Sequence, residues 1–106
     1  MAAWLEVANV DNFETPNKVQ CVEHDGIRIA VFKLDDGFYA INDECSHDEA
    51  SLSEGDIIKD CVIECPLHGA QFDIKTGENL AFPAVTPVDA YQTKVENGIV
   101  YVEVED

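Results

Sequence analysis

Two short segments hold the residues most able to do chemistry in this chain of 106 amino acids. Cys45 and His47 lie one residue apart, Cys65 and His68 lie two residues apart, and seventeen residues separate the two pairs. Thiolate sulfur and imidazole nitrogen are ligands of soft and borderline transition metals. Two such Cys/His pairs on separate segments predict a metal site with four protein ligands.

The spacing within each pair indicates which metal group is bound. Zinc sites with two Cys and two His usually place Cys near Cys and His near His, with about two to five residues between partners. Here each segment supplies one Cys and one His. This mixed arrangement suits a [2Fe–2S] cluster in which one iron takes both thiolates and the other takes both imidazoles. A zinc-stabilised interaction module with no redox role is the alternative.

The pattern Cys-x-His, seventeen residues, Cys-x-x-His resembles the signature of Rieske iron–sulfur proteins. The resemblance continues through the run Cys-Pro-Leu-His-Gly-Ala-Gln-Phe-Asp at residues 65–73 and through Ala-Ser-Leu-Ser-Glu-Gly at residues 50–55. Weaker similarity reaches both ends of the chain. The chain is most similar to the small Rieske-type ferredoxins that supply electrons to bacterial aromatic-ring-hydroxylating dioxygenases.

This resemblance implies a role for each residue of the site. Cys45 and Cys65 are expected to hold one iron as thiolates, and His47 and His68 to hold the other through one ring nitrogen each. The free edges of the two imidazoles are the expected exit for the electron. The residues expected to surround the cluster are Pro66, Leu67, Gly69, Ala70, Phe72 and Pro83.

Two of these surrounding residues predict a low reduction potential. Relatives of high potential resemble Cys-Pro-Cys-His-Gly-Ser-x-Tyr, in which the Ser and Tyr hydroxyls donate hydrogen bonds to cluster sulfurs. This chain has Ala70 and Phe72 at those positions and lacks both hydroxyls. The potential is therefore expected near the lower end of the Rieske range, which spans about −150 to +300 mV.

The remaining cysteines and histidine are expected to have ordinary roles. Cys21 and Cys61 are predicted to be small buried hydrophobic residues, as free cysteines in strands usually are. His24 is predicted to be solvated at a hairpin turn. The family's respiratory members carry a disulfide between the two ligand loops, but Ala50 and Leu67 occupy those positions here. The chain start shows no basic region followed by an apolar signal, which favours the cytoplasm.

The charge of the chain excludes several classes of partner. Twenty-two acidic residues against six basic residues give a formal net charge of −16. Nucleic acid and anionic lipid both require a basic surface, so neither is expected as a partner. Residues 43–64 contain eight acidic side chains and one basic side chain, Lys59. This acidic excess predicts docking to basic faces of redox partners, with simple solubility as the alternative explanation.

The fold is predicted to be all-β, because no segment shows a sustained helical period. Strands are expected at residues 4–8, 19–22, 27–34, 38–41, 61–65, 71–74, 91–95 and 99–104, with at most one helical turn at residues 49–53. Asp25-Gly26 and Asn97-Gly98 predict tight hairpins. By resemblance, a single Rieske-like antiparallel β-sandwich is expected. Residues 43–82 would form a cluster-binding subdomain with two ligand loops, on a base of residues 1–42 and 83–106.

These features predict a monomeric one-electron carrier that is not itself an enzyme. By resemblance, it would pass electrons from a flavin-dependent ferredoxin reductase to a terminal ring-hydroxylating oxygenase. A chain of 106 residues has no room for an oxygenase's catalytic domain, and it contains no glycine-rich dinucleotide motif. The alternative within the same family is the small subunit of an assimilatory nitrite reductase.

Overall fold

The chain forms an antiparallel all-β structure, as predicted from the sequence. The computed structural model describes residues 2–13, 18–44, 51–59, 61–66, 69–81 and 86–105. Within them lie no α-helix and no helix long and apolar enough to cross a membrane. In chain order the strands are β1 (Ala2–Asn9), β2 (Val19–His24), β3 (Ile27–Leu34), β4 (Gly37–Asn42), β5 (Asp56–Lys59), β6 (Val62–Glu64), β7 (Gln71–Asp73), β8 (Asn79–Ala81), β9 (Ala90–Tyr91), β10 (Thr93–Glu96) and β11 (Ile99–Glu105).

The strands form three sheets, and every strand pairing within them is antiparallel. The sheet orders are β1-β11-β10, β2-β3-β4-β9 and β5-β6-β7-β8. Two of the tight hairpins have the predicted turns. Asp25 and Gly26 join β2 to β3, and Asn97 and Gly98 join β10 to β11; all four residues have positive φ values between 52° and 79°. This geometry is that of the type I′ turn, which Asp-Gly and Asn-Gly favour.

Strand β3 separates two hydrophobic cores because its side chains alternate between the two faces of the sheet. Ala30 and Phe32 enter the core that we call core 1, whereas Ile29 and Val31 enter core 2. The other buried members of core 1 are Ile41, Leu52, Ile63, Cys65, Ala70, Phe72, Ile74 and Val88. Those of core 2 are Phe13, Ala40, Val100, Val102 and Val104. The middle sheet is therefore packed on both faces.

Strands β5 and β8 were not predicted from the sequence, and two connections also differ from the prediction. The connection between the first two predicted strands contains a 3₁₀ helix, Val10–Phe13. Its Phe13 ring is buried, with its centroid 4.9 Å from that of Phe38. The strand expected at residues 91–95 is divided between β9 and β10. The division occurs at Gln92, whose carbonyl oxygen accepts a hydrogen bond from the Glu103 N–H at 2.9 Å. The chain thus passes from the middle sheet to the sheet of β10 and β11.

The predictions for the two spare cysteines were wrong. Cys21 is exposed, because alternation along β2 places it on the same exposed face as Glu23. Cys61 is only partly buried and lies in a turn before β6, so it does not share the burial of Ile63 and Cys65. The helical turn expected at residues 49–53 is a 3₁₀ helix, Leu52–Glu54, and the first part of that prediction lies outside the described residues.

Candidate metal centre

The second ligand segment begins with a buried cysteine at the end of β6. Cys65 is 2% exposed and packs in core 1. Its N–H donates a hydrogen bond to the Ala70 carbonyl oxygen at 2.7 Å, and its own carbonyl accepts one from the Gly69 N–H at 3.3 Å. Gly69 has a φ of +75°, a conformation that glycine adopts without strain. These bonds close a tight loop that starts and ends in the core.

The two positions predicted to control the potential share the environment of Cys65. Ala70 and Phe72 are both fully buried members of core 1, and Phe72 pairs with Ile63 across β6 and β7. Pro66, by contrast, is exposed. The side chain at position 65 is therefore shielded from water on the side of Ala70 and Phe72.

Five of the predicted site residues lie outside the described residues: Cys45, His47, Leu67, His68 and Pro83. Within the residues that are described, no group of three His, Cys, Asp or Glu side chains converges to hold a metal ion. Since three of the four expected ligands are among those not described, their ligation stays a prediction.

The segments that flank the first ligand loop are described, and they meet. Glu44 and Ser51, on either side of residues 45–50, form an isolated antiparallel bridge. The Asn42 side-chain oxygen accepts a hydrogen bond from the Glu44 N–H at 2.9 Å, which is an Asx turn. The Asp43 carbonyl accepts one from the Leu52 N–H at 2.6 Å. The entry and exit of the first loop are thus held together.

Asp43 is buried, although sequence reasoning grouped it with the acidic side chains of the surface. It is only 1% exposed. Exposed acidic side chains from the same region are Glu44, Glu54 and Asp56, and Lys59 is exposed beside them. A short polar residue directly after a strand often accepts nearby backbone N–H groups, and this was the available signal.

The segment that follows Pro83 is anchored at two points. The Val88 N–H donates to the Gly77 carbonyl oxygen at 2.9 Å, and the Asn42 N–H donates to the Asp89 carbonyl oxygen at 2.9 Å. Gly77 has a φ of +80°, and a Cβ there would lie 2.1 Å from the Val88 carbonyl oxygen. Because Val88 is part of core 1, this close approach places residues 86–89 against the core that contains Cys65.

The thiol of Cys21 lies beside the exit of the first loop. Desolvation raises the pKa of this thiol, a hydrogen bond with Ser53 opposes the rise, and the Asp43 carboxylate adds to it. Arg28 lowers the pKa and Glu54 raises it further. The net effect is a raised pKa, so this thiol is less reactive than an ordinary cysteine.

The chemistry of the donor set fits a [2Fe–2S] cluster. Cys65 places its sulfur beside the buried apolar side chains of Ala70 and Phe72. Gly69 has no Cβ and a positive φ, so the backbone at this position can come close to a bound cluster. A buried cysteine thiol of this kind is the ligand type that iron–sulfur clusters use.

The comparison with family models decides the classification. The model of the Rieske [2Fe–2S] domain matches residues 3–92. The chain belongs to the Rieske [2Fe–2S] domain family. Membership of this family confirms the Rieske-type [2Fe–2S] cluster as the cofactor and does not support the zinc alternative.

Relatives within the family are ferredoxins. The 3-phenylpropionate/cinnamic acid dioxygenase ferredoxin subunits of Shigella flexneri serotype 5b and Escherichia coli K12 are each 46% identical over 78 residues, which is 74% of both chains. Among solved structures, the ferredoxin of carbazole 1,9a-dioxygenase from Nocardioides aromaticivorans IC177 is 37% identical with a TM-score of 0.85. It covers 94% of this chain and 96% of its own.

Two further solved structures are informative. A chain from the complex of reduced oxygenase and oxidised ferredoxin in carbazole 1,9a-dioxygenase is 38% identical with a TM-score of 0.85. The match covers 93% of this chain and 91% of that one. A nitrite reductase small subunit from Mycobacterium tuberculosis is 25% identical with a TM-score of 0.83, over 100% and 98% of the two chains. This Rieske protein is therefore an electron-transfer component with the fold of the dioxygenase ferredoxins, and not a catalytic oxygenase.

Proposed function

We propose that this Rieske protein takes one electron from a flavin-dependent reductase and passes it to the terminal oxygenase of an aromatic-ring dioxygenase. The observation that carries the proposal is the match to dioxygenase ferredoxins along nearly the full length of both chains. One of those ferredoxins was solved in complex with its oxygenase. The relatives at 46% identity are ferredoxin subunits of a dioxygenase for an aromatic acid, which points to the same class of system.

The proposed ligands are Cys45 and Cys65 for one iron, and His47 and His68 for the other. Neutral imidazole donates less charge than thiolate, so ligation by two histidines would raise the reduction potential above that of a site with four cysteines. When bound, the cluster supplies reversible one-electron chemistry. Cys65 lies in core 1, where the buried side chains of Ala70 and Phe72 keep water from its sulfur. The imidazole edges of His47 and His68 are the proposed exit for the electron.

The exposed acidic side chains near the first loop are proposed to steer basic partners. Glu44, Glu54 and Asp56 are exposed, and Lys59 is the basic residue within the described part of residues 43–64. Charges at the rim of an interface act mainly on the association rate. The screening length falls from about 10 Å at 0.1 M salt to about 3 Å at 1 M. We therefore expect the second-order rate of reduction by a flavin reductase to fall steeply across this range.

Stopped-flow mixing tests the transfer step directly. The protein, reduced chemically without oxygen, is mixed with the oxidised Rieske oxygenase of a dioxygenase system, and the absorbance of both clusters is followed. The expected result is stoichiometric reoxidation of this protein with one electron gained by the oxygenase, slowed by salt. Transfer that is flat in salt would reduce the acidic surface to a role in solubility. No transfer to any aromatic-ring oxygenase would contradict the proposed function.

The likeness to a nitrite reductase small subunit keeps a second function testable. Stable co-purification with a large sirohaem-containing subunit would favour that function over the first. Three properties stay predictions: a single domain with a cluster-binding subdomain at residues 43–82, a monomeric state and a cytoplasmic location. Analytical ultracentrifugation of the loaded protein tests the monomeric state.

A further inference from the structure

Asp43 is the one polar side chain among the buried residues that the structure describes. Removing a carboxylate from water is unfavourable unless partners compensate it. Asp43 Oδ1 accepts a hydrogen bond from the Ser53 N–H at 2.7 Å, and Arg28 Nη1 lies 3.5 Å from Oδ2. The Arg28 side chain is 56% exposed, so water screens this ion pair. An asparagine could accept the same backbone bond without a buried charge, so that bond alone does not require a carboxylate.

The position of Asp43 in the fold suggests what it does. Its N–H donates to the Arg28 carbonyl oxygen of β3 at 2.8 Å, and its carbonyl accepts the Leu52 N–H at 2.6 Å. Its side chain reaches Ser53, ten residues later. One residue therefore joins β3, the entry of the first ligand loop and the 3₁₀ helix at the loop's exit.

Arg28 adds a second link between the same segments. The nitrogen that faces Asp43, Nη1, also donates to the Ser51 side-chain oxygen at 3.2 Å. Arg28, Asp43, Ser51 and Ser53 form a network that we call the first-loop clasp. Its members come from β3 and from both sides of residues 45–50. Closing a loop at its ends restricts the positions available to the residues inside it.

We propose that the first-loop clasp positions the segment that carries Cys45 and His47, and that Asp43 is its positioning residue. This inference rests on the ligand set proposed above. The Oδ1 hydrogen bond keeps the exit of the loop against its entry, which holds two of the four ligands in place for the cluster. The buried negative charge also disfavours addition of an electron nearby, so Asp43 lowers the reduction potential.

Three variants separate position from charge: Asp43→Ala, Asp43→Asn and the control Asp36→Asn. Asp36 is an exposed carboxylate paired with Lys75 at 2.7 Å on the β3–β4 turn, so its replacement removes the same charge away from the clasp. The readouts are iron release to an excess of chelator, the EPR line shape of the reduced protein, and the reduction potential. Each is measured on the cluster-loaded protein.

Asp43→Ala is expected to release iron roughly tenfold to a hundredfold faster than the wild-type protein, which is the factor that loss of one hydrogen bond to a charged acceptor gives. It should also broaden the EPR lines. Asp43→Asn is expected to restore release to within about twofold of the wild-type rate and to restore the line shape, since its amide oxygen accepts the Ser53 N–H. Its potential should nevertheless lie above the wild-type potential. Asp36→Asn should match the wild-type protein in all three readouts.

The outcomes that overturn the inference are distinct from failure of the proposed ligand set. Wild-type release and line shape in Asp43→Ala, or no restoration by asparagine, would refute the positioning role. If Asp43→Ala cannot be loaded with cluster, Arg28→Gln is tested instead, because it keeps the Ser53 N–H bond to Asp43. This variant should release iron at least about threefold faster than the wild-type protein. A wild-type rate of release would refute the clasp. A wild-type protein without a Rieske EPR signal would instead refute the ligand set, whatever the clasp variants show.

Discussion

Replacing Phe72 with tyrosine and Ala70 with serine, singly and together, should raise the reduction potential of the cluster. Both side chains are fully buried and share core 1 with Cys65, and the Ala70 carbonyl accepts the Cys65 N–H at 2.7 Å. A hydroxyl added at either position therefore enters a region without water, on the core side of the proposed ligand. There it can donate to cluster sulfur, whose negative charge increases on reduction.

The size of the shift follows from hydrogen-bond energies. A hydrogen bond to a charged acceptor contributes about 1.5–3 kcal/mol. If about half of this is gained only in the reduced state, the gain is about 0.8–1.5 kcal/mol, and about 1.4 kcal/mol corresponds to roughly 59 mV for one electron. Each hydroxyl should then raise the potential by roughly 30–60 mV, and the double variant should show the largest shift.

Voltammetry and thermal unfolding together distinguish tuning from disturbance. Phe13→Tyr and Ala40→Ser are matched controls, because both residues are at most 1% exposed but lie in core 2, beyond β3. A buried hydroxyl without a partner costs about 1–3 kcal/mol, and a loss of about 1 kcal/mol lowers Tm by roughly 4–8 °C in a domain of this size. The controls should lose Tm without a change in potential. Unchanged or lowered potentials in Phe72→Tyr and Ala70→Ser would refute the reasoning.

Two further predictions test the surroundings of the site. Gly77→Ala should destabilise the protein by about 1–3 kcal/mol more than Gly98→Ala. Both glycines have φ near +80°, but of the two only Gly77 has a backbone oxygen, that of Val88, where a Cβ would lie. Equal losses of stability in chemical denaturation would contradict this close approach. Because desolvation raises the pKa of Cys21, its alkylation in a Cys61→Ser background should rise with pH at a midpoint above the ordinary thiol value, and a midpoint below it would contradict the structure.

Local turn chemistry made much of the fold predictable from the sequence. Asp25-Gly26 and Asn97-Gly98 adopt the expected turns because positive φ at both central positions is intrinsic to those residue pairs. Strand β3 has the predicted bounds, since its β-branched residues suit a strand packed on both faces. The break at Gln92 was not predictable, because it arises where β9 pairs with β4 and β10 pairs with β11, a choice that tertiary packing makes.

The site shows the same division between local and distant causes. The Cys/His spacing and its resemblance to the Rieske signature predicted the cluster, which the family match confirms. Asp43 could not be separated from its acidic neighbours by charge, because its burial depends on the return of the chain at Leu52 and Ser53. For Cys21 the period of β2 contained the answer, since Glu23 lies on the same face.

Magnetic resonance of the reduced protein tests mixed ligation most directly. Protein is prepared with ¹⁵N-histidine, and nitrogen couplings to the reduced cluster are measured by ENDOR spectroscopy. The proposed ligand set predicts nitrogen couplings from two coordinated imidazoles, those of His47 and His68. The Nε2 of His24 lies 3.1 Å from the Glu105 carbonyl oxygen. Replacing His24 with asparagine should therefore leave the couplings unchanged. A spectrum without coordinated imidazole, like that of a ferredoxin with four cysteine ligands, or loss of a coupling in His24→Asn, would contradict it.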